Sequence, residues 1–329
     1  MGKTMTDKQE IFSVKDLCVE YTSGGESIHA VNGVSFELAA GTTIGLVGET
    51  GAGKTSIARA ILRILPDHAT RSVTGEVYFK GKKLLELPES EMRTLRGKSI
   101  SMIFQDPMTA LNPVKTVADQ IAESIRIHQN RNKHDSMQAA VKMLETVGIS
   151  EDRAYEYPHQ FSGGMKQRVV IAIALACNPE LLIADEPTTA LDVTIQAQVL
   201  DLMKGLQKER GTSMIMITHD LGVVADVCDT VAVVYAGELV EYGTKEEIFD
   251  HPCHPYTNGL FGALPDLSKN VRRLSPVEGL PPDPGNLPVG CSFAPRCSYA
   301  TDTCRQAHTE MTRISENHYV RCIRCSKED

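Results

Sequence analysis

The sequence feature that most constrains this chain is the loop GETGAGKT at residues 48–55, which fits the pattern G-x-x-x-x-G-K-[ST]. A short apolar run at 42–48 precedes the loop and a helical pattern at 54–65 follows it, so the motif lies between a strand and a helix. Glycines let successive backbone N–H groups point at phosphate oxygens, and the positive end of the helix adds to that field. The sequence therefore predicts a nucleotide phosphate site.

Side chains of this loop are predicted to bind the nucleotide and a metal ion. We expect Lys54 to reach the β- and γ-phosphates and Thr55 to ligate Mg²⁺, as in other loops of this pattern. The predicted binding residues of this segment are Gly48, Thr50, Gly51, Ala52, Gly53, Lys54, Thr55 and Ser56.

A second motif supplies acidic groups. The apolar run LLIAD at 181–185 is typical of a buried strand, and it ends in Asp185 at the edge where open α/β sheets bind ligands. We expect Asp185 to hold the magnesium ion. Glu186 follows directly and is suited to orient or deprotonate an attacking water, because phosphoryl transfer depends mainly on positioning and charge.

The remaining patterns alternate between strands and helices. Strands are predicted at 11–20, 28–38, 75–81, 99–105 and 213–219, and helices at 116–128, 134–147, 163–176 and 193–209. A hairpin at 230–243 precedes a capping box formed by Thr244 and Glu247. This alternation predicts a parallel sheet covered on both faces, with a boundary near residue 250 and an irregular, Pro/Gly-rich connector at 281–290.

Composition excludes some classes of function. The longest apolar run, 169–177, is far shorter than the ~18 residues of a spanning helix, so membrane work would need a partner. Residues 1–10 are polar and lack the pattern of a secretory leader, which predicts a cytosolic location. The net charge of −8 gives no general attraction to nucleic acid.

The segment FSGGMKQR at 161–168 resembles the ABC signature sequence, usually LSGGQ, with Met165 in place of Gln. The resemblance implies that Ser162, Gly163 and Gly164 contact the γ-phosphate of ATP held by the opposite subunit of a dimer. Such a contact would use the anion affinity of a helix N-terminus.

Four further positions are similar to motifs of the same ABC family. Gln105, at a strand end, resembles the Q-loop glutamine, which implies a contact with the metal and the attacking water. Asp192, in the sequence ALD at 190–192, resembles the D-loop, and His219 resembles the switch histidine that contacts the γ-phosphate. Tyr21 resembles the aromatic that stacks on adenine, although an exposed strand tyrosine is an open alternative. The implied catalytic residues are Glu186, His219, Gln105 and Lys54.

The order of these motifs identifies residues 11 to about 250 as similar to ABC ATPases. The implied fold is α/β: a P-loop NTPase core with an antiparallel β subdomain and a helical subdomain at about 106–165, plus a small Cys-rich metal-binding appendage. We expect a nucleotide-binding domain at 1–250 and an extension at 251–329 whose Cys-rich segment spans 291–325.

The extension indicates which type of ABC ATPase the chain resembles. HPCHPYTNGL at 251–260 and CSFAPRC at 291–297 resemble the D-type ATPase of bacterial dipeptide and oligopeptide importers. This implies a heterodimer with an F-type ATPase subunit, although a homodimer stays open. It also implies two transmembrane permease subunits, indirectly an extracytoplasmic solute-binding protein, and a peripheral location on the cytoplasmic face of the inner membrane.

Three other functions are compatible with parts of the sequence. Related importers carry nickel chelates or glutathione. A DNA-repair ATPase would share the motifs, but such proteins separate them by long coiled coils, whereas the loop and the signature here are about a hundred residues apart without sustained heptads. A regulator that binds ATP without hydrolysis is disfavoured because Glu186 and His219 are both present.

Five of the nine cysteines lie in the last 39 residues, a segment with little apolar content. A cytosolic chain keeps cysteines reduced, which favours metal binding or burial over disulfides. The residues alone leave a [4Fe-4S] cluster, Zn²⁺ and free thiols open. Resemblance to the D-type tails favours the cluster. The implied ligands are Cys291, Cys297, Cys304 and Cys322, with Cys325 as a spare; Cys18, Cys177, Cys228 and Cys253 are expected to be buried or incidental thiols.

Overall fold

The computed structural model describes residues 9–188, 191–262 and 277–325. Its contacts divide the chain into two compact units. Among the described residues, we call 9, 39–43 and those within 86–217 the helical unit, and 10–38, 44–85 and those within 218–325 the β-rich unit.

Strands and helices lie close to where the sequence patterns predict them. The first half of the chain contains β1 (Glu10–Ser23), β2 (Glu26–Ala39), β3 (Thr43–Val47), α1 (Lys54–Leu62), β4 (Thr70–Phe79), β5 (Lys82–Lys83), α2 (Glu89–Leu95), β6 (Ile100–Ile103), α3 (Pro107–Ala110), α4 (Val117–Gln129) and α5 (Lys133–Thr146). The second half contains α6 (Gly163–Leu175), β7 (Leu181–Asp185), α7 (Val193–Arg210), β8 (Ser213–Ile217), α8 (Leu221–Val227), β9 (Thr230–Tyr235), β10 (Glu238–Thr244), α9 (Lys245–Asp250), α10 (Pro255–Gly262), α11 (Asp302–Gln306), β11 (Thr312–Arg313) and β12 (Tyr319–Val320).

The β-rich unit contains two runs of paired strands. In the first, β1 lies between β2 and β4, and β4 is antiparallel to both β1 and β5. In the second, β3 runs parallel to β9, and β9, β10, β12 and β11 follow one another antiparallel. Every residue of β9 is buried, as expected of a central strand, whereas β2 alternates buried and exposed positions. The antiparallel β subdomain is therefore confirmed.

The helical unit combines three parallel strands with a group of packed helices. Strand β7 lies between β6 and β8, and the residues of all three strands are buried. Helix α4 packs on α5 and α6. The buried residues of α4 recur at helical spacing: Val117, Ala118, Ile121, Ala122 and Ile125. This part of the unit corresponds to the predicted helical subdomain.

The C-terminal extension belongs to the β-rich unit. Tyr319 and Val320 pair with β10, so the chain beyond the predicted boundary at residue 250 adds strands to the same sheet. Phe293 and Val320 of this segment are buried, so the extension contributes residues to the core of the β-rich unit. The connector at 281–290 contains neither helix nor strand, as predicted. The boundary itself stays a prediction.

Across the described part of the chain, none of the helices is both long enough and apolar enough to span a bilayer.

Candidate nucleotide site

The phosphate loop of the β-rich unit joins β3 to α1, as predicted, and glycines are required at both of its ends. Gly48 has φ 155°, and a Cβ there would lie 2.1 Å from the carbonyl oxygen of Val234. Gly53 has φ 103°, and a Cβ there would lie 2.3 Å from the carbonyl oxygen of Ala30. Any side chain at these positions would displace the backbone, so the loop's curl depends on both glycines.

Lys54 places its charge within this curl. Its side chain is buried, and its ammonium group donates hydrogen bonds to the carbonyl oxygens of Gly48 at 2.7 Å and Glu49 at 2.9 Å. Thr55 and Ser56 follow in the first turn of α1, which is the positive end of the helix. The loop therefore concentrates positive charge at the place where the sequence predicts phosphates.

Tyr21 lies near the end of β1 and is held against the same helix. Its hydroxyl donates a hydrogen bond to the Ser56 hydroxyl at 3.0 Å, and its side chain is half-buried. The contact ties β1 to the loop's helix. Stacking of Tyr21 on adenine stays a prediction.

His219 also belongs to the β-rich unit. The N–H of the preceding Thr218 donates to the carbonyl oxygen of Leu46, in the strand that leads into the phosphate loop. His219 is exposed. Its backbone is thus anchored beside that strand, while its side chain is accessible to a ligand.

In the helical unit, two predicted catalytic residues meet. Glu186 follows the buried Asp185 with φ 47°, a left-handed conformation that is uncommon for a residue with a Cβ. Its N–H donates to the carbonyl oxygen of Ile217 at 2.8 Å. The side-chain amide of Gln105 donates to the Glu186 carboxylate at 3.0 Å. A strained turn at the end of β7 thus accompanies the pairing of the predicted water-activating groups.

The signature segment forms the start of α6. The Ser162 hydroxyl accepts a hydrogen bond from the N–H of Met165, and both Ser162 and Gly163 are exposed. A Cβ on Gly164 would lie 2.6 Å from Ile195 of α7. The segment therefore presents an exposed, small-residue helix N-terminus, which is the surface that an opposing phosphate requires.

Met165, the departure from the usual signature, has a local partner. The guanidinium of Arg153 donates to its sulfur at 3.1 Å and lies 4.6 Å from the ring centre of Phe161. Arg153 also pairs with Glu156 at 2.7 Å. The Met165 side chain therefore contacts Arg153, which also contacts Phe161 and Glu156.

Asp192 caps a helix in the structure. Its carboxylate accepts a hydrogen bond from the N–H of Ile195 at 3.0 Å, at the start of α7. Ala190 of the predicted D-loop lies outside the described residues, and the contact of Asp192 with a partner subunit stays a prediction.

Comparison with known proteins decides the family. The ABC transporter family matches residues 31–189, and the C-terminal region of oligopeptide and dipeptide transporters matches residues 240–304. The dipeptide transport ATP-binding protein DppD of Bacillus subtilis is 49% identical over 95% of this chain and 94% of its own length. This chain is an ABC transporter ATP-binding protein.

Other relatives agree with this assignment. The oligopeptide transport ATP-binding protein OppD of Bacillus subtilis is 51% identical over 94% of this chain and 88% of its own length. Among solved structures, the dimeric ATP-binding cassette MJ0796 bound to ADP and phosphate superposes with a TM-score of 0.64 at 27% identity, covering 71% of this chain and 98% of that one.

Four cysteines of this ABC ATP-binding protein line one cavity of about 410 Å³ in the extension. They are the predicted ligands Cys291, Cys297, Cys304 and Cys322. Cys325 instead lines a neighbouring cavity with Cys253, and its thiol donates to the carbonyl oxygen of Cys253. Thiols facing a shared cavity fit a soft metal group in type and number. The cluster itself stays a prediction.

Protonation differs among these cysteines. Burial raises the pKa of the Cys291 and Cys297 thiols. Interaction with the neighbouring Cys325 side chain lowers the pKa of the Cys322 thiol to about 6, helped by backbone N–H groups of Arg324 and Cys325. Cys322 therefore becomes a thiolate, the form that binds metals, more readily than Cys291 or Cys297.

The sequence patterns did not single out two buried carboxylates of β10 that hold the extension. Glu241 accepts hydrogen bonds from the N–H groups of Cys253 and His254 and pairs with His318 at 2.7 Å. Glu238 accepts from the Ser292 hydroxyl at 2.7 Å. An acidic residue within an otherwise apolar strand pattern could have indicated these contacts, because a buried carboxylate needs hydrogen-bond or ion-pair partners.

Within the described residues, Glu241, Cys253 and His318 each offer an atom that could ligate a metal ion, and these three atoms lie within 4.8 Å of one another. No three of the four predicted cysteine ligands, all of which the structure describes, form such a group. Because Glu241 already accepts three hydrogen bonds, two of them from backbone N–H groups, we interpret this group as a structural contact.

Proposed function

We propose that this protein is the ATP-hydrolysing motor subunit of an importer for dipeptides or oligopeptides. The observation that carries the proposal is the hydrogen bond between Gln105 and Glu186 directly after the buried Asp185. A carboxylate that accepts a bond from an amide stays a hydrogen-bond acceptor, which is the property needed to orient or deprotonate a water. The names of the relatives favour peptides over nickel chelates or glutathione as cargo.

In this proposal, the residues divide the work of hydrolysis. Lys54 binds the β- and γ-phosphates, and His219 contacts the γ-phosphate. Oxygens of Thr55 and Asp185, together with Gln105, hold Mg²⁺, which when bound neutralises phosphate charge. The loop residues Gly48, Thr50, Gly51, Ala52, Gly53 and Ser56 bind phosphate oxygens, and Tyr21 stacks on the adenine.

The proposed motor is a dimer of cassettes. Ser162, Gly163 and Gly164, at the start of α6, bind the γ-phosphate held by the opposing subunit, with Asp192 beside the same interface; Ser162 and Gly163 are exposed. ATP therefore favours the closed dimer, and hydrolysis removes that preference. We propose an F-type ATPase as the second subunit, two membrane permease subunits as the docking partners, and an extracytoplasmic binding protein as the source of peptide. The complex would lie on the cytoplasmic face of the inner membrane.

The extension at 251–329 is proposed to bind a [4Fe-4S] cluster in the cavity lined by Cys291, Cys297, Cys304 and Cys322, with Zn²⁺ as the alternative metal. The support is that the four thiols line one cavity. The thiolates would crosslink the segment from Cys291 to Cys322 within the extension.

Reconstitution tests the function. The chain is coexpressed with candidate membrane and F-type ATPase subunits, and the complex is placed in vesicles with ATP inside or outside. We expect peptide-stimulated hydrolysis and ATP-dependent peptide uptake in the complex, and little hydrolysis by the isolated chain, which lacks an opposing signature segment. Rapid turnover by a strictly monomeric preparation, or uptake that does not depend on ATP, would contradict the proposal.

A further inference from the structure

The second residue of the phosphate loop is held by the C-terminal extension. Arg296 forms a two-pronged salt bridge with Glu49: one guanidinium nitrogen lies 2.9 Å from one carboxylate oxygen and the other lies 3.0 Å from the second. The arginine side chain is 5% exposed and the glutamate side chain 26% exposed. A bidentate pair with this little exposure constrains both partners strongly.

Arg296 is itself fixed by its surroundings. Its Nε donates to the carbonyl oxygen of Glu278 at 2.8 Å, and a terminal nitrogen donates to that of Val277 at 3.0 Å. The guanidinium also lies 5.7 Å from the ring centre of Tyr235 and 5.9 Å from that of Phe293. Since the backbone and the rings orient the guanidinium, Arg296 presents a preformed anchor to the loop.

A second contact from beyond the predicted core boundary reaches the same loop residue. The backbone N–H of Glu49 donates to the hydroxyl of Tyr256 at 2.9 Å. Tyr256 is fully buried in α10, and its ring centre lies 4.6 Å from that of Tyr235 and 5.5 Å from that of Phe293. Glu49 is therefore held at its backbone and at its carboxylate by residues that are rigidly packed together.

Charge gives the contact a consequence for ligand binding. The carbonyl oxygen of Glu49 also accepts a hydrogen bond from Lys54, the cation of the phosphate loop. An unneutralised carboxylate in a loop that binds triphosphate would oppose the ligand's negative charge. Arg296, whose guanidinium lies near the rings of Tyr235 and Phe293, neutralises that carboxylate and fixes its position.

We propose that Arg296 is a positioning residue for nucleotide binding: through Glu49, the C-terminal extension sets the shape and charge of the phosphate loop. The proposal rests on the proposed function. It predicts that nucleotide affinity depends on a residue outside the nucleotide-binding domain expected from the sequence.

The test compares Arg296→Gln, Glu49→Gln and the double variant in the full chain, with ATP affinity and thermal unfolding measured for each. We expect Arg296→Gln to raise the Kd for ATP by about tenfold or more, because it leaves the Glu49 carboxylate unpaired near the ligand. The double variant is expected to recover a large part of that affinity, since removal of the charge relieves the repulsion. Arg305→Gln, which changes an exposed arginine of the same extension, is the matched control and should bind ATP like the wild type.

The outcomes separate this inference from the proposed function. An unchanged Kd in Arg296→Gln would overturn the inference, and so would a double variant that binds as weakly as Arg296→Gln, since a purely structural role predicts no recovery. If Arg296→Gln does not fold, Arg296→Met takes its place in the same comparison: a raised Kd that recovers when Glu49→Gln is added supports charge compensation, and an unchanged Kd overturns it. Failure of the wild type to bind ATP would instead refute the proposed function.

Discussion

Gln105 donates a hydrogen bond from its side-chain amide to the carboxylate of Glu186, 3.0 Å away, although 81 positions separate them in the chain. Each follows a strand of the same parallel set, β6 and β7, whose carboxyl ends lie side by side. Parallel pairing therefore brings together two residues that the sequence shows only as separate strand ends. The amide of Gln105 thereby orients the Glu186 carboxylate.

Replacement of Glu186 by Gln is expected to retain ATP binding and to remove most turnover. Gln keeps the shape and a hydrogen-bonding group, but it cannot accept a proton from water. The loss of a general base typically costs about 10²–10⁴ in rate. Steady-state hydrolysis by the assembled transporter measures the loss, and Glu209→Gln, an exposed change on α7, is the control. Wild-type turnover in Glu186→Gln would show that this role for Glu186 is wrong.

Lys54→Ala is expected to weaken nucleotide binding itself. The change removes the ammonium group within the loop and the hydrogen bonds that it donates to Gly48 and Glu49. Because hydrogen bonds to ionised groups are among the stronger ones, we expect the Kd for ATP to rise about tenfold or more. Titration with a fluorescent ATP analogue measures this Kd. The control is Lys82→Ala, which changes an exposed lysine of β5. Equal affinities of wild type and Lys54→Ala would refute the predicted contact.

Local patterns predicted the elements that carry the ATP motifs well. Strand β7 was predicted at 181–185 and lies at Leu181–Asp185, because a fully buried parallel strand has a continuous apolar run. The capping box of Thr244 and Glu247 is present at the start of α9. Both signals involve residues that are neighbours in the chain, so a sequence displays them directly.

Contacts of the extension could not be predicted in this way. Arg296 and Glu49 are 247 positions apart, and Glu241 and His318 are 77 apart. Neither pair produces a local pattern, and the short strand Tyr319–Val320 has too few residues to show alternation. The sequence signals of the extension are therefore its cysteines, its connector and its family-like segments, whereas the buried carboxylates and aromatic packing that contribute to its order produce none.

Metal content tests the predicted cysteine ligands. After anaerobic purification we expect iron and labile sulfide in the wild type and their loss in Cys304→Ser, because that residue lines the shared cavity. Cys325→Ser is expected to keep its iron, since Cys325 lines the neighbouring cavity instead. Stoichiometric zinc without iron or sulfide would refute the cluster, and full iron in Cys304→Ser would refute this ligand set.

Acid is expected to destabilise the protein through His254. Its imidazole is 1% exposed and accepts a hydrogen bond from the N–H of Tyr256 at its Nδ1. Burial lowers its pKa from 6.5 to about 4, with Arg321 acting in the same direction and Glu241 opposing it. The folded protein therefore excludes a proton that the unfolded chain binds below its ordinary pKa.

The stabilising contribution of neutral His254 is complete above pH 6.5 and is lost as the pH falls toward 4. Between pH 7 and pH 5 this linkage lowers the free energy of unfolding by about 2 kcal/mol. Urea denaturation across that range measures it. His254→Asn keeps an acceptor for the Tyr256 N–H but does not titrate, so its stability should fall less with acid than that of the wild type. His134→Asn, an exposed histidine, is the control. Parallel pH profiles for wild type and His254→Asn would show that His254 does not carry this acid sensitivity.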